Sequence, residues 1–148
     1  MLLKDLCTTD VVCCAPELRV LDAALLMRQK HVGDLVVVND PDDQTPIGIV
    51  TDRDIVVEVL GKGLDPHTVT VRDIMRGPAV IARDSDDAAQ AMERMRAHGV
   101  RRMPVMAENR QLVGIVTLDD LLRQLAADAN AMVEIISREQ NHEHRTRR

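Results

Sequence analysis

The chain has 148 residues, 45% hydrophobic and 29% charged, a formal net charge of −5, and no Phe, Tyr or Trp. Without aromatic rings there is no platform for stacking single-stranded bases, and a net negative charge gives little attraction to a phosphate backbone, so nucleic-acid binding is not expected. No apolar run approaches the length of a membrane span, and residues 1–5 lack the long apolar stretch of a secretory signal. Three cysteines make no disulfide framework, so a reducing cytoplasm is the expected compartment.

In chain order, residues 11–14 read as a short apolar strand. A helix follows, opened by Pro16, with Leu18, Leu21, Leu25 and Leu26 on its apolar face. Two near-continuous apolar strands come next, at 35–38 and 47–50, joined by the turn Asn39-Asp40-Pro41-Asp42-Asp43-Gln44-Thr45-Pro46. A second helix runs through Ile55, Val56 and Val59, and Gly61-Lys62-Gly63-Leu64-Asp65-Pro66-His67 reads as a linker.

The same order then recurs. Residues 79–81 make the short strand, and a helix follows that is capped at Asp84 or Ser85 and stopped at Gly99, with Ala88, Ala91, Met92 and Met95 on its face. Strands at 103–106 and 112–116 lead to a helix through Leu121, Leu122 and Leu125. Shifting the chain by 68 lays Ala23, Met27 and Arg28 on Ala91, Met95 and Arg96, and a shift of 66 lays Gly48 and Thr51 on Gly114 and Thr117. The two-residue change falls in the first strand–strand turn, where loops tolerate length variation. A unit of about 60 residues buries little surface alone, so the two repeats are expected to pack through their sheets. Residues 1–62 and 70–127 form the repeats, 63–69 the linker, and 128–148 a further helix through Ala131, Ile135 and Ile136. That helix runs into a polar tail whose basic end is expected to be partly disordered.

The strongest signal is a doubled junction. Ile47-Gly48-Ile49-Val50-Thr51-Asp52-Arg53-Asp54-Ile55 returns as Val113-Gly114-Ile115-Val116-Thr117-Leu118-Asp119-Asp120-Leu121. A strand breaks at a threonine and enters a helix whose first turn carries an aspartate. A hydroxyl and a carboxylate three residues apart suit the hydroxyls of a sugar, and two copies suggest a two-fold nucleotide site. The competing reading is that each aspartate simply favours the positive end of a helix dipole.

With these two G-h-h-T-x-x-D segments (h is apolar) and Val100-Arg101-Arg102-Met103-Pro104-Val105, both repeats resemble CBS domains, which occur as tandem pairs called Bateman modules. The resemblance covers roughly residues 1–127. Thr51-Asp52-Arg53-Asp54-Ile55-Val56 followed by Gly63-Leu64-Asp65-Pro66 is similar to a subgroup of small stand-alone bacterial CBS pairs, some associated with stress or hypoxia.

The resemblance implies an α/β (α+β) fold of two β-α-β-β-α repeats packed sheet to sheet about a pseudo-two-fold axis, commonly as a homodimer. It implies a regulatory ligand in the inter-repeat cleft: AMP, ADP, ATP, NAD(H) or S-adenosylmethionine. Each site takes its Thr and Asp from one repeat and its strand opening from the other.

One site then combines Thr51, Arg53 and Asp54 with Ala79, Val80, Arg101, Arg102, Met103 and Pro104. Asp54 would hold the ribose and Thr51 the sugar or phosphate. Val80 and Met103 would wall the adenine, and the two arginines would carry phosphates. Arg53 stands where the family usually has a small hydroxyl residue, so it would clamp a phosphate or crowd the ribose. The second, weaker site combines Thr117 and Asp120 with Val11, Val12, Gly33, Asp34, Leu35 and Val36. There Asp34, Asp119 and Asp120 would repel a polyphosphate unless a cation intervened.

Cys13 and Cys14 point to opposite faces of a strand and read as small buried hydrophobes. His142 and His144 fall in the expected disordered tail, and His31 and His98 suit the negative ends of equivalent helices. No Walker loop, H-E-x-x-H or anchored Ser-His-Asp set is present, so the expectation is a regulatory module that is not an enzyme, acting freely or on an effector in trans. The alternative is a structural or interaction module of the same fold that binds no nucleotide.

Overall fold

A computed structural model describes residues 1–147. In chain order the elements are α1 (Leu3–Leu6), β1 (Cys13–Cys14), α2 (Val20–Lys30), β2 (Asp34–Val38), β3 (Pro46–Thr51) and α3 (Asp52–Ile55), which continues as a π-helical turn, Val56–Leu60. The second half supplies α4 (Val71–Ile74), β4 (Ala82–Arg83), α5 (Ala88–His98), β5 (Arg102–Met106), β6 (Leu112–Thr117) and α6 (Leu118–Thr146). The strands form two three-stranded sheets, β1-β2-β3 and β4-β5-β6. In each, the first strand runs parallel to the second and the second antiparallel to the third.

Strand alternation explains how the sheets pack. Leu35 and Val37 face the helices of the first repeat, where they meet Val20, Ala23, Met27 and Val50. Met103 and Val105 do the same in the second repeat, against Ala91, Met95 and Val116. Val36 and Val38 point to the opposite face, where they meet Ile115, with Val11, Ile49 and Leu112 packed alongside. These strands are therefore buried on both faces, which is why they read as unbroken apolar runs. The fold is the mixed α and β pair of repeats that the sequence indicates.

The two halves also exchange their leading segments. Leu3 of α1 is buried in the second core, its amide donating to the Asp86 carbonyl at 2.8 Å. Val71 of α4 is buried in the first core, its amide donating to the Leu18 carbonyl at 2.8 Å. Downstream of each helix the chain bridges the last strand of the other sheet. Thr8 and Ile115 exchange backbone hydrogen bonds at 2.9 and 2.9 Å, and Ile49 and Arg76 at 3.1 and 3.0 Å.

These bridges explain the glycine of each G-h-h-T segment. A Cβ on Gly114 would lie 2.5 Å from the Thr8 carbonyl oxygen and 2.6 Å from Cys7 Sγ; one on Gly48 would lie 2.8 Å from the Arg76 carbonyl oxygen. Such approaches to backbone force a shift of the bridging segment. Gly114→Ala is expected to destabilise the fold by about 1–3 kcal/mol, the usual cost of overpacking, and by more than Gly48→Ala. The midpoints of urea unfolding at unchanged m-value check this.

Several elements differ from the sequence expectation. The short strand expected at 79–81 lies at Ala82–Arg83, because pairing begins where Ala82 meets Val105. The cap of α5 is Asp87, which accepts from the Gln90 amide at 2.9 Å, not Asp84 or Ser85. Asp86 is held instead by Arg94 at 2.9 Å and by the Arg83 amide at 2.9 Å. The buried face of α2 is Val20, Ala23 and Met27, so Leu25 is exposed; in α5, Met92 is exposed as well. The break expected near residue 127 is absent: one 29-residue helix, α6, runs on to Thr146 and takes in Arg145 and Thr146 of the basic end expected to be disordered. Leu125-Ala126-Ala127-Asp128-Ala129-Asn130-Ala131 contains no Gly or Pro to stop it. Of the expected tail, only Arg148 lies outside the described residues.

Candidate functional site

Both Thr/Asp pairs are capping boxes. Thr51 accepts from the Asp54 amide at 3.2 Å while Asp54 Oδ2 accepts from the Thr51 amide at 2.9 Å. Thr117 and Asp120 repeat the geometry at 3.2 and 2.9 Å. The segment Thr70-Val71-Arg72-Asp73 forms a third such box at α4. The motif by itself therefore starts a helix, and any ligand role depends on what surrounds it.

Around the first box the surroundings are specific. Asp54 is buried, and its Oδ1 accepts from Arg76 Nε at 3.2 Å. Arg76 is 80% exposed and reaches Asp54 only because its segment crosses from the second repeat to β3. No motif marked Arg76; the signal was its place in the repeat, at the shift of 68 from Thr8. Arg53 is exposed on α3, its amide donating to Asp52 Oδ1 at 2.8 Å. Around the second box, Arg123 Nη1 lies 3.5 Å from Asp120 Oδ1.

The strand openings meet between the boxes. Asp34 is the register partner of Thr51, and Arg102 that of Thr117. Across the repeats, Arg102 Nη1 donates to Asp34 Oδ2 in a part-buried ion pair. A cavity of about 210 Å³ opens there, lined by Gly33, Asp34, Arg101, Arg102, Thr117, Leu118 and Asp119. The structure thus brings Arg101 and Arg102 together with Thr117 and the Gly33-Asp34 opening, whereas the resemblance implies that they face Thr51 and Asp54. The carboxylates of this cleft are accompanied by two guanidinium groups.

The apolar walls fall elsewhere than expected. Met103 and Leu35 are 0% exposed inside their own cores, because alternation turns them away from the cleft. Pro104 is buried in the same strand, and Val36 lies in the layer between the sheets. Ala79, Val80, Val11 and Val12 are half-buried on the crossing segments. A larger opening of about 780 Å³, bordered by Thr45, Ile81, Arg83, Ser85, Glu108 and Arg110, contains none of the anticipated residues.

The cysteines play no part in this cleft. Burial pushes the Cys14 thiol up to about 11, with Cys13 beside it adding to the shift, so it stays protonated at neutral pH. Among the described residues no three His, Cys, Asp or Glu side chains gather as a metal site, and no helix is long and apolar enough to cross a membrane.

Two sequence-related halves, joined sheet to sheet with a polar cleft between their strand openings, define a tandem-repeat module. The family model for the CBS domain matches residues 3–61 and 71–127, and the chain belongs to that family. It is 36% identical over 126 residues to hypoxic response protein 1 of Mycobacterium tuberculosis, covering 85% of this chain and 86% of that protein. It is 37% identical over 114 residues to the uncharacterized protein MK0525 of Methanopyrus kandleri, covering 77% of this chain and only 57% of the length of that relative. Among solved structures, the CBS domain pair of protein MJ0100, in complex with 5′-methylthioadenosine and S-adenosyl-L-methionine, superposes with a TM-score of 0.74. It is 23% identical and covers 86% of this chain and 98% of that one.

Proposed function

We propose that this CBS pair is a regulatory module that binds an adenine nucleotide, a dinucleotide or another adenosine-containing ligand between its repeats and has no catalytic activity of its own. The observation that carries this reading is the convergence of Arg101 and Arg102 with the strand openings of both repeats, flanked by the two Thr/Asp boxes. At about 210 Å³ the cavity is smaller than the roughly 300–1,000 Å³ of a typical ligand pocket, so it fits the anionic end of such a ligand rather than the whole. The sugar then extends toward Thr51 and Asp54, or toward Thr117 and Asp120, and the half-buried Ala79, Val80, Val11 and Val12 border the base. The MJ0100 complex supports the reading in that its fold accommodates adenosine ligands.

Occupancy would change how the repeats sit against each other, since a ligand shifts an equilibrium only through differential contacts. The module would act in the cytoplasm as a homodimer, on an effector in trans. Titration calorimetry with AMP, ATP, NAD(H) and S-adenosylmethionine is expected to give saturable heat for at least one of them. No heat from any of the four overturns the sensing role for these ligands.

A second reading is favoured by a specific observation. Asp54 is engaged through both oxygens, and the Arg102 guanidinium is engaged by Asp34. A module whose polar groups satisfy one another in this way would serve as a structural or interaction unit without a nucleotide, and the same titration separates the two.

A further inference from the structure

We propose that α6 is a self-association device: it pairs with α6 of a second copy as an antiparallel two-stranded coiled coil. Past Leu121, no residue of this helix is buried. The repeat itself shows the departure. In the first half Val59 is 0% exposed against its core, whereas Leu125, at the same place in the second half, is 63% exposed. An unpartnered helix of this kind draws no stability from packing, which is where most helical stability comes from.

Its exposed face is a seam. Leu118, Leu122, Leu125, Ala129, Met132 and Ile136 follow one another at spacings of four, three, four, three and four residues, the 3.5-residue repeat of a coiled coil. Four of the six are more than half exposed, and Val133 and Ile135 beside them are as open. The seam ends in charge, because the same spacing continues to Glu139 and Glu143.

The seam is complementary to itself when reversed. Spacings of four, three, four, three and four read the same in both directions. An antiparallel copy therefore sets Leu122 against Met132 and Leu125 against the small Ala129, with Ile136 at the level of Leu118, which is half-buried against the second core. A parallel copy would instead stack Glu139 on Glu139 and Glu143 on Glu143, whereas the antiparallel one carries both past the partner's apolar stretch. It also opposes the two helix dipoles. The like-charge approach nearest the seam is Asp128 to its copy beside the axis, where it already accepts from Gln124 at 2.8 Å.

The exposed side chains of Leu122, Leu125, Ala129, Met132, Val133, Ile135 and Ile136 offer roughly 500 Å² per copy, so a pair removes about 1,000 Å², the lower limit of a specific interface. The polar face mixes acids with arginines, unlike the basic face of a membrane-surface helix.

The test is disulfide crosslinking of the full-length protein without added nucleotide, with the unsubstituted chain as baseline for its native cysteines. Leu125→Cys combined with Ala129→Cys is expected to give a crosslinked dimer about tenfold faster than either single substitution, because a disulfide requires Cα atoms within about 7 Å. Adding Met132→Glu and Ile136→Glu is expected to abolish it. The proposal is overturned if the double variant stays uncrosslinked, if Ala129→Cys alone crosslinks as fast, which marks a parallel pair, or if the glutamates leave the rate unchanged. Because no ligand is present, these outcomes are independent of whether the cleft binds a nucleotide.

Discussion

Asp54→Ala is expected to lower the melting temperature and, at the same time, to abolish the thermal stabilisation given by the cognate nucleotide. The first effect is local. Asp54 accepts from the Thr51 amide at 2.9 Å and from Arg76 Nε at 3.2 Å, so its removal leaves a part-buried amide without its partner and dismantles a capping box. Losing such a cap costs about 1–2 kcal/mol, or roughly 2–8 °C for a chain of this size. The second effect is the informative one. A ligand at a hundredfold excess over its Kd stabilises by about 2.7 kcal/mol, and that increment should vanish with the carboxylate.

Two further variants separate the roles. Asp54→Asn keeps an acceptor for the Thr51 amide and should recover most of the melting temperature while still responding weakly to nucleotide. Arg76→Ala leaves the capping box intact and frees Asp54 Oδ1, so its response to nucleotide should equal or exceed that of the native chain. Thermal melts with and without AMP, ATP, NAD(H) and S-adenosylmethionine provide the measurement. A full ligand shift in Asp54→Ala would remove Asp54 from the binding reading and leave it as a cap alone.

The repeated architecture was legible because it is written in local periodicity. The unbroken valines of 35–38 announce a strand buried on both faces, and the doubled G-h-h-T-x-x-D announces a strand that breaks into a capped helix. The same segment even carries its own packing constraint, since only a glycine admits the crossing chain beside Gly48 and Gly114. What stayed hidden depends on long-range placement. Leu3 and Val71 pack in the core of the opposite half, and short helices such as α1 and α4 have no period to read. Arg76 reaches Asp54 only through that exchange. The phase of α2 is hard to read because leucines surround it: Leu18 and Leu26 do pack against the first core, whereas Leu25 is exposed and Val20, Ala23 and Met27 form the buried face. The cleft was legible in composition but not in pairing. Arg101, Arg102, Asp34 and Asp119 were all visible in sequence, yet register decides that Arg102 lies beside Thr117 and reaches over to Asp34.

That cross-repeat pair carries the other large expectation. Asp34→Asn and Arg102→Ala should move anion affinity in opposite directions although they break the same contact. In the native chain, Asp34 is 21% exposed and Arg102 34% exposed at the side chain, so their attraction is less screened than that of a surface pair. Arg102→Ala leaves the Asp34 carboxylate half-buried without its cation. It should cost about 1–3 kcal/mol in stability and also weaken ATP binding, because a cleft with Asp34 and Asp119 then repels phosphate. Asp34→Asn keeps the hydrogen-bond acceptor but cancels the charge that occupies the guanidinium. Arg102 can then offer its donor fork to an incoming phosphate, and ATP should bind about tenfold tighter, a gain of about 1.4 kcal/mol. In the native protein an anionic ligand would have to displace Asp34 to reach Arg102. Asp34 belongs to the first sheet and Arg102 to the second, so displacement would loosen one tie between the repeats in the act of binding. A double-mutant cycle on stability should return a coupling between the two residues of about 0.5–3 kcal/mol, and calorimetry with ATP on the same four proteins reads the binding effect. If both single variants bind ATP as the native chain does, the phosphate seat lies away from this pair, and Arg102 serves only to fasten the two sheets together.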